Sequence, residues 1–396
     1  MVLQPKIIYH LAVIFTLVIV FYLLLPGIGA FRIRGIWRRF RSLLLKSALL
    51  PPLTYTDLRA AEGEAGRKGG AFRFFGYLQA LKGDNTIWLT DGEVSLMAQL
   101  EQVYVYILTF NKPIAPDSWE HYPVHTPQRV KWEKISSLPE QTKLFVSGCL
   151  DYREGQPVFI DTPENPLFVL IYEGEDKETL LRGIWSGREK NEYWNSMTPG
   201  ALLLGLFSLF IYFYILLQDP GTLFPAAAAL TLACLPITPL LPPCIVSYYF
   251  YRKFWQSGRV LRAQRDLLRL PLAFFHEQEG AESSQSVRLY SGELYQMRII
   301  RPEEIPLDNA IPRVIPSLRC CASSETLVCF GKEGAPLERP DDPMAEAMIV
   351  PGDPFALSHT CQKYAFRKEI LGLFILFFGI GCTEFLLFFL FTYIVY

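Results

Sequence analysis

Apolar residues gather into four blocks along the chain, and two long stretches of ordinary polar content lie between them. The first two blocks, residues 7–25 and 198–217, contain no Asp, Glu, Lys or Arg. A helix of either length spans about 30 Å, which matches the hydrocarbon core of a bilayer. The other two blocks cover residues 222–250 and 370–396. The pattern therefore predicts a helical multi-pass membrane protein with about four transmembrane helices.

The third and fourth blocks are both interrupted. The third contains five prolines, which remove backbone donors and predict a kinked or broken helix. They are Pro225, Pro236, Pro239, Pro242 and Pro243. The fourth block runs to the last residue and contains one acidic residue, Glu384. Because an ionisable group is costly in lipid, we expect Glu384 to face protein, water or a partner.

The first block leaves two alternatives open. Gly27, Gly29 and Ala30 are small enough to form the cleavage site of a signal peptide. Five arginines follow between positions 32 and 41, however, and such a cluster resists translocation. We therefore expect an uncleaved membrane anchor.

Lys and Arg at the ends of the blocks predict the orientation. Basic residues follow the first and third blocks and precede the second and fourth. The opposite side has only Lys6, and the turn Gln218–Gly221 has no Lys or Arg. Because positive flanks stay inside, both polar stretches are expected in the cytoplasm, with both termini outside the cell membrane.

These blocks and flanks predict seven segments. They are a first transmembrane helix (1–31), a basic juxtamembrane segment (32–55), a first cytoplasmic β-rich module with an amphipathic exit segment (56–197), a helical hairpin of the second and third spans (198–251), a second basic segment (252–273), a second cytoplasmic β-rich module (274–369) and a fourth transmembrane helix (370–396).

Within the two polar stretches, apolar residues recur at every second position, which is typical of strands. Aromatic and β-branched residues are frequent, and Gly, Asp and Asn turns separate the runs. Each module is therefore predicted as a small antiparallel barrel or sandwich. The predicted strands cover 71–81, 86–90, 103–110, 143–150 and 157–160 in the first module, and 286–290, 293–300, 314–320, 325–330 and 345–350 in the second.

The two halves also share an order of features, which predicts an internal duplication. Each half has a span, a basic amphipathic stretch and a Leu-Pro step before an aromatic residue, at Leu50–Tyr55 and Leu270–Phe274. Strands, a Gly-x-Pro step and a last span follow. The two Gly-x-Pro steps are Gly155–Pro157 and Gly334–Pro336.

The two basic stretches mix cations with bulky apolar residues at near-helical spacing, which predicts helices lying in the membrane surface. Membrane lipids are the expected contact, either through a basic anchor without lipid selectivity or through a site for phospholipid headgroups. The predicted contacts are Arg34, Arg38, Arg39, Arg41, Arg259, Arg262 and Arg265.

Composition excludes one class of partner. The formal net charge is -1, so the basic surplus that nucleic-acid binding requires is missing. Phosphate-loop, zinc-protease, serine-hydrolase and dinucleotide motifs do not occur. One set in the second module invites a metal or redox hypothesis: Cys320, Cys321, Cys329, His359 and Cys361. Without a C-x-x-C pair, we expect reduced thiols, no metal and no cofactor.

Glu384 is the principal candidate for function. It either forms a neutral hydrogen bond, to Thr383 or to a tyrosine of another span, or it carries protons or ions. His10 is the one complementary ionisable group in the other blocks, so an ion pair between the two is an alternative.

Three hypotheses about function follow from this sequence. The first is a membrane-anchored scaffold or regulatory protein whose two modules bind another protein, a second copy or each other. The second is a transporter or channel component that uses Glu384 and the proline-rich third block. The third is a membrane-bound enzyme without a recognisable motif.

Overall fold

The computed structural model describes residues 5–63, 70–82, 85–109, 127–135, 137–153, 155–188, 193–277, 286–301, 313–314, 326–334 and 337–395. They form two compact units whose segments alternate along the chain. The helical unit comprises Met1–Arg38, Glu189–Leu261 and Lys363–Tyr396. The β unit comprises Arg39–Arg188 and Arg262–Gln362, so both predicted β modules belong to one compact unit.

Three helical stretches in the described chain are long and apolar enough to cross a membrane, namely Pro5–Ala48, Thr198–Leu217 and Pro354–Ile394. They contain the first, second and fourth apolar blocks. The helices are α1 (Pro5–Val18), a π-helical turn (Ile19–Leu24), α2 (Leu25–Ala48), α3 (Tyr55–Gly63), α4 (Asp176–Trp185), α5 (Thr198–Leu217), α6 (Leu223–Ala233), α7 (Cys244–Glu277) and α8 (Pro354–Val395).

The prediction of a kinked or broken helix in the third block is confirmed. The block forms α6 and the start of α7, with a short 3-10 turn at Thr238–Leu240 between them. Four of the five prolines lie in residues 234–243, where the missing N–H donors prevent helix continuation. With 11 residues, α6 is only about 16 Å long.

The basic stretches are parts of longer helices rather than separate ones, and their placement at the membrane surface stays a prediction. Residues 36–46 are the last part of α2, which begins at Leu25 without a break. Residues 259–269 lie within α7 in the same way. Nothing in either stretch breaks a helix between the apolar and the basic part, so hydrogen bonding continues through both.

The first module is an eight-stranded sheet. Its order is β1-β2-β3-β7-β6-β8-β4-β5, and β1 also pairs with β6. The strands are β1 (Ala71–Lys82), β2 (Thr86–Thr90), β3 (Ser95–Gln99), β4 (Tyr104–Leu108), β5 (Gln128–Lys131), β6 (Lys143–Arg153), β7 (Gln156–Ile160) and β8 (Phe168–Tyr172).

The extra pairing closes five strands, β1, β2, β3, β7 and β6, into a barrel. The long strand β1 makes this closure because its first half pairs with β6 and its second half with β2. Tyr77 lies at the switch and faces Lys143 on one side and Thr90 on the other. Inward side chains such as Ile87, Leu96 and Phe159 fill the interior. The prediction of a small barrel is therefore confirmed for the first module, but its antiparallel character is wrong at one pair, because β3 and β7 are parallel.

In the described residues, the second module is an open sheet of five strands in the order β11-β13-β12-β10-β9, and the antiparallel prediction is wrong for β11 and β13, which are parallel. Tyr295 and Phe330 project from it onto Phe275 at the end of α7, with ring centroids 5.9 and 6.1 Å away. Cys329, Leu337 and Ile349 form a small cluster of their own. The strands are β9 (Ser286–Arg288), β10 (Leu294–Ile300), β11 (Arg313–Val314), β12 (Leu327–Lys332) and β13 (Met348–Pro351).

Three strands of the first module, β3, β5 and β8, were not anticipated from the pattern. The five residues of β8 are apolar and all buried, so no alternation marks them. The sequence of β3, SLMAQ, has three buried residues in a row. The strand predicted at 314–320 lies outside the described residues except for Val314.

Candidate functional site

The break between α6 and α7 lies beside Glu384 of α8. The Thr238 hydroxyl donates a hydrogen bond to Glu384 Oε1 and also lies 3.1 Å from the main-chain oxygen of Cys234 at the end of α6. The Cys244 N–H, at the start of α7, donates to Thr383 Oγ1 over 3.1 Å. The C-terminus of one short helix and the N-terminus of the next therefore flank this carboxyl.

Helix α8 approaches α7 closely because glycines leave room between them. A Cβ atom added to Gly379 would collide with Ser247, and one added to Gly372 would lie 3.2 Å from Phe254 Cβ. Along α8 these contacts run from Gly372 to Gly379, and along α7 they run backwards from Phe254 to Ser247. The two helices are therefore antiparallel. Small residues at such positions allow close backbone approach in membranes. This packing places Thr383 against the first turn of α7.

Tyr22, on the π-helical turn after α1, adds a second polar group. Its side chain is only 3% exposed, and its hydroxyl has no hydrogen-bond partner in the described part of the chain. The ring packs against Gly205 of α5. Electrostatic interactions couple this hydroxyl to Cys234, Tyr193 and, more weakly, Glu384. Such π-helical turns are frequent at functional sites.

The sequence hypothesis for Glu384 is modified by this geometry. The structure gives the carboxyl a hydroxyl partner, but from Thr238 rather than from Thr383, which donates to the Gly379 oxygen instead. Glu384 Oε2 is buried and has no partner among the described residues. Only the proline break places Thr238 there, so no spacing in the sequence indicated this pair.

His10 contacts Tyr212 and Tyr9 rather than Glu384. Its Nδ1 is 2.8 Å from the Tyr212 hydroxyl of α5, and its ring contacts Tyr9 edge-on. Near the same end of α1, Lys6 forms an ion pair with Asp219 of the turn before α6. This pair and a hydrogen bond from Gly221 N–H hold the pKa of the exposed Asp219 below its usual range. The structure therefore brings His10 together with Tyr212, and no contact joins it to Glu384.

The seven arginines predicted to touch lipid occupy different environments. Arg38 and Arg39 are exposed and Arg34 is half-buried. Arg41 donates to the Ser186 oxygen over 2.7 Å, and Arg265 donates to Asp266 over 2.6 Å. Arg259 is buried with its guanidinium 4.6 Å from the Trp255 ring, and Arg262 is half-buried. Arg41, Arg259 and Arg265 thus make contacts within the protein.

The apolar face of the first basic stretch is covered by protein rather than available to a bilayer. The Phe40 ring lies 4.6 Å from Tyr106 and 5.6 Å from Phe168 on the outer face of the first sheet. Leu44 packs against Gly183 of α4 so closely that any larger residue at Gly183 would collide with it. Phe40 and Leu44 therefore pack within the protein, and the lipid contacts of the arginines in this stretch stay a prediction.

Within the β unit, a buried ion pair joins the two modules. Arg73 of β1 is bound end-on by the carboxylate of Asp342, and its Nε donates to the Leu50 oxygen over 2.7 Å. The two side chains are 2% and 4% exposed. A similar buried pair links Arg188 to Asp266. Bidentate arginine pairs are geometrically specific, so they fix how their segments meet.

Two cysteines of the metal hypothesis, Cys320 and Cys321, lie outside the described residues. Cys329 and Cys361 are buried, and His359 is exposed. Burial raises the pKa of the Cys329 thiol to about 11.

Comparisons of the chain with protein-family models, with curated proteins and with solved structures found no match. Its function is therefore inferred from the geometry of its own residues.

Proposed function

We propose that this protein is a multi-pass protein of the cell membrane whose two β modules act together as one cytoplasmic interaction platform. The observation that carries this proposal is the buried Arg73–Asp342 pair, because it joins the modules into one unit rather than leaving two independent domains. The expected partner is another protein or a second copy of the chain, held beside membrane lipids.

The orientation within this proposal has its own support and its own test. The basic residues that follow Pro5–Leu25 and precede α5 and the apolar part of α8 favour placement of the β unit in the cytoplasm. A reporter enzyme that is active only outside the cytoplasm should work after Tyr396 or within Gln218–Gly221. It should fail near Asp91 or Glu333, and the reverse pattern would contradict the orientation.

The partner can be tested by photocrosslinking in living cells. A photoreactive phenylalanine analogue placed at Tyr290 or Tyr77, which are 54% and 41% exposed on the β unit, should form an adduct of one defined mass. Tyr214, 67% exposed on α5, is the matched control because lipid should surround it. Absence of any protein adduct at the β-unit positions would contradict the platform.

A second candidate, a transporter or channel component, is favoured by one observation. The third apolar block is a discontinuous helix whose break lies at the one acidic residue of the apolar blocks. Discontinuous helices commonly form the substrate and ion sites of transporters. The enzyme hypothesis gains no comparable support from the described residues.

A further inference from the structure

Three separate elements of the helical unit bring polar groups to one carboxyl. Glu384 comes from α8, Thr238 from the break between α6 and α7, and Tyr22 from the π-helical turn. Both irregular elements interrupt otherwise apolar helices. Two such interruptions beside one acidic residue indicate a site rather than a packing accident.

We propose that Glu384 is a reversible proton-binding site within the membrane. Its carboxylate takes up one proton, which forms an O–H bond at Oε2, and releases it again to water without any change of redox state. Thr238 and Tyr22 are positioning residues in this proposal. The inference rests on the proposed crossing of the membrane by α8, but not on the partners of the β unit.

The two carboxyl oxygens have different surroundings, which identifies the atom that is protonated. Oε1 already accepts a hydrogen bond from Thr238. Oε2 is buried without a partner, and so is the nearby hydroxyl of Tyr22. Buried polar groups without a partner are rare in folded proteins. The ionised carboxyl can only accept hydrogen bonds, whereas a proton makes one oxygen a donor, and the unpartnered Oε2 is the oxygen at which we place that O–H bond.

The charges around the site make both protonation states accessible. The titratable groups that interact with Glu384 from neighbouring elements are Tyr22, Cys234 and Cys244, and Cys382 lies on α8 itself. Among the described residues no Lys, Arg or His contacts the carboxyl, so burial favours the neutral acid. The Thr238 hydroxyl and the positive end of α7 favour the carboxylate. These opposing contributions are what a reversible site requires.

The test uses a hydrophobic carbodiimide, which reacts with protonated carboxyls in membranes, on the full-length protein in lipid vesicles. Labelling of Glu384, followed by mass spectrometry, should be high at low pH and should be lost as the pH rises. Glu384→Gln should abolish that adduct alone. Labelling that does not vary with pH, or no labelling at any pH, would overturn the proposal.

Positioning is tested by removing the hydroxyl partners. In Thr238→Val, labelling should persist to a pH about one unit higher, because a hydrogen bond to the carboxylate is lost. Tyr22→Phe should shift the profile as well. Thr231→Val is the matched control, since Thr231 is buried on α6 and its hydroxyl donates to the Ala227 oxygen of the same helix. Equal profiles for Thr238→Val and Thr231→Val would contradict the assigned roles.

Sodium separates a proton site from a metal-cation site. Labelling at fixed pH should be independent of added NaCl when potassium replaces it at constant ionic strength. Protection by sodium alone would assign the site to that cation and overturn the proton proposal. The reporter fusions test the orientation of the protein, whereas carbodiimide labelling tests proton binding by Glu384. Failure of the proposed orientation can therefore be distinguished from failure of the proton proposal.

Discussion

The two β modules share a core of four strands but differ in how it is completed. In the first, β1, β6, β8 and β4 are neighbours, with two antiparallel pairs followed by a parallel pair. In the second, β10, β12, β13 and β11 are neighbours, again with two antiparallel pairs followed by a parallel pair. In both cores the neighbouring strands are the first, third, fourth and second of the four along the chain. This correspondence supports the internal duplication that the order of features predicts.

The helix before each sheet also plays the same part. Phe40 near the end of α2 packs on Tyr106 and Phe168, and Phe275 near the end of α7 packs on Tyr295 and Phe330. In both modules an aromatic side chain of the preceding helix covers the sheet. The shared motif is therefore a helix followed by a four-stranded core.

The modules differ at the strands that close the first into a barrel. There β2, β3 and β7 complete the ring. In the first module, β6 and β7 form a hairpin. At the corresponding place in the second module, the described residues after β12 form a single β-bridge, between Lys332 and Glu338. A closed barrel removes its edges and encloses its own core, whereas an open sheet needs another surface. From this difference we expect the second module to depend on the first for its stability.

The largest expected effect follows from cutting the modules apart. Residues 39–188 alone should retain strand structure and unfold cooperatively, because the barrel encloses its own core. Residues 262–362 alone should show no cooperative transition, because the sheet is open and Asp342 loses Arg73. Circular dichroism during urea denaturation measures both. Cooperative unfolding of the second segment alone would contradict its dependence on the barrel.

Breaking the buried pair between the modules comes next. Arg73→Met should lower the free energy of unfolding by about 3–5 kcal/mol, because Asp342 is left buried without its counter-charge. Arg73→Met with Asp342→Leu should recover most of that loss. Lys143→Met is the control, since its pair with Asp176 is about one-third exposed and contributes below about 1 kcal/mol. Equal losses for both single variants would show that burial does not matter here.

Two glycines test the hairpin at which the modules diverge. A Cβ on Gly331 of β12 would lie 2.9 Å from the main-chain oxygen of Glu338, and backbone cannot easily move. Gly331→Ala should therefore cost about 1–3 kcal/mol. In β6, a Cβ on Gly148 would lie 3.0 Å from the end of the Leu167 side chain, which can shift. Thermal denaturation should show a smaller loss for Gly148→Ala; the opposite order would place the tighter hairpin in the barrel.

The smallest expected effect is a difference in the rates at which two cysteine thiols are alkylated. Because burial raises the pKa of Cys329 to about 11, the folded state favours its protonated form. That contribution to stability is complete below the ordinary thiol pKa and is lost as the pH rises towards about 11. At pH 8 an alkylating reagent should modify half-buried Cys149 well before Cys329. Equal rates, followed by mass spectrometry, would show that the second module opens readily.

Local sequence patterns were sufficient to predict most helices and strands, but not which residues contact one another across the fold. The strand over 86–90 was predicted residue for residue, because TIWLT alternates between buried and half-buried positions. The strand β8 was not predicted, because a strand that is buried on both faces shows no alternation of apolar and polar residues. Arg73 lies between the core residues Phe72 and Phe74, on the opposite face of β1, and is nevertheless buried. Its partner lies 269 residues away, which no local rule identifies.

The amino-acid sequence by itself determined the apolar blocks, the break in the third block and the β-rich character of the two modules. Hydrophobic period, proline chemistry and helix length are local properties, so they act before any tertiary contact forms. Tertiary structure alone decided that five strands close into a barrel, that Asp342 holds Arg73 and that Thr238 rather than Thr383 bonds Glu384. The reason is physical: a buried polar group is stable only with its specific partner, and long-range packing determines which group that is.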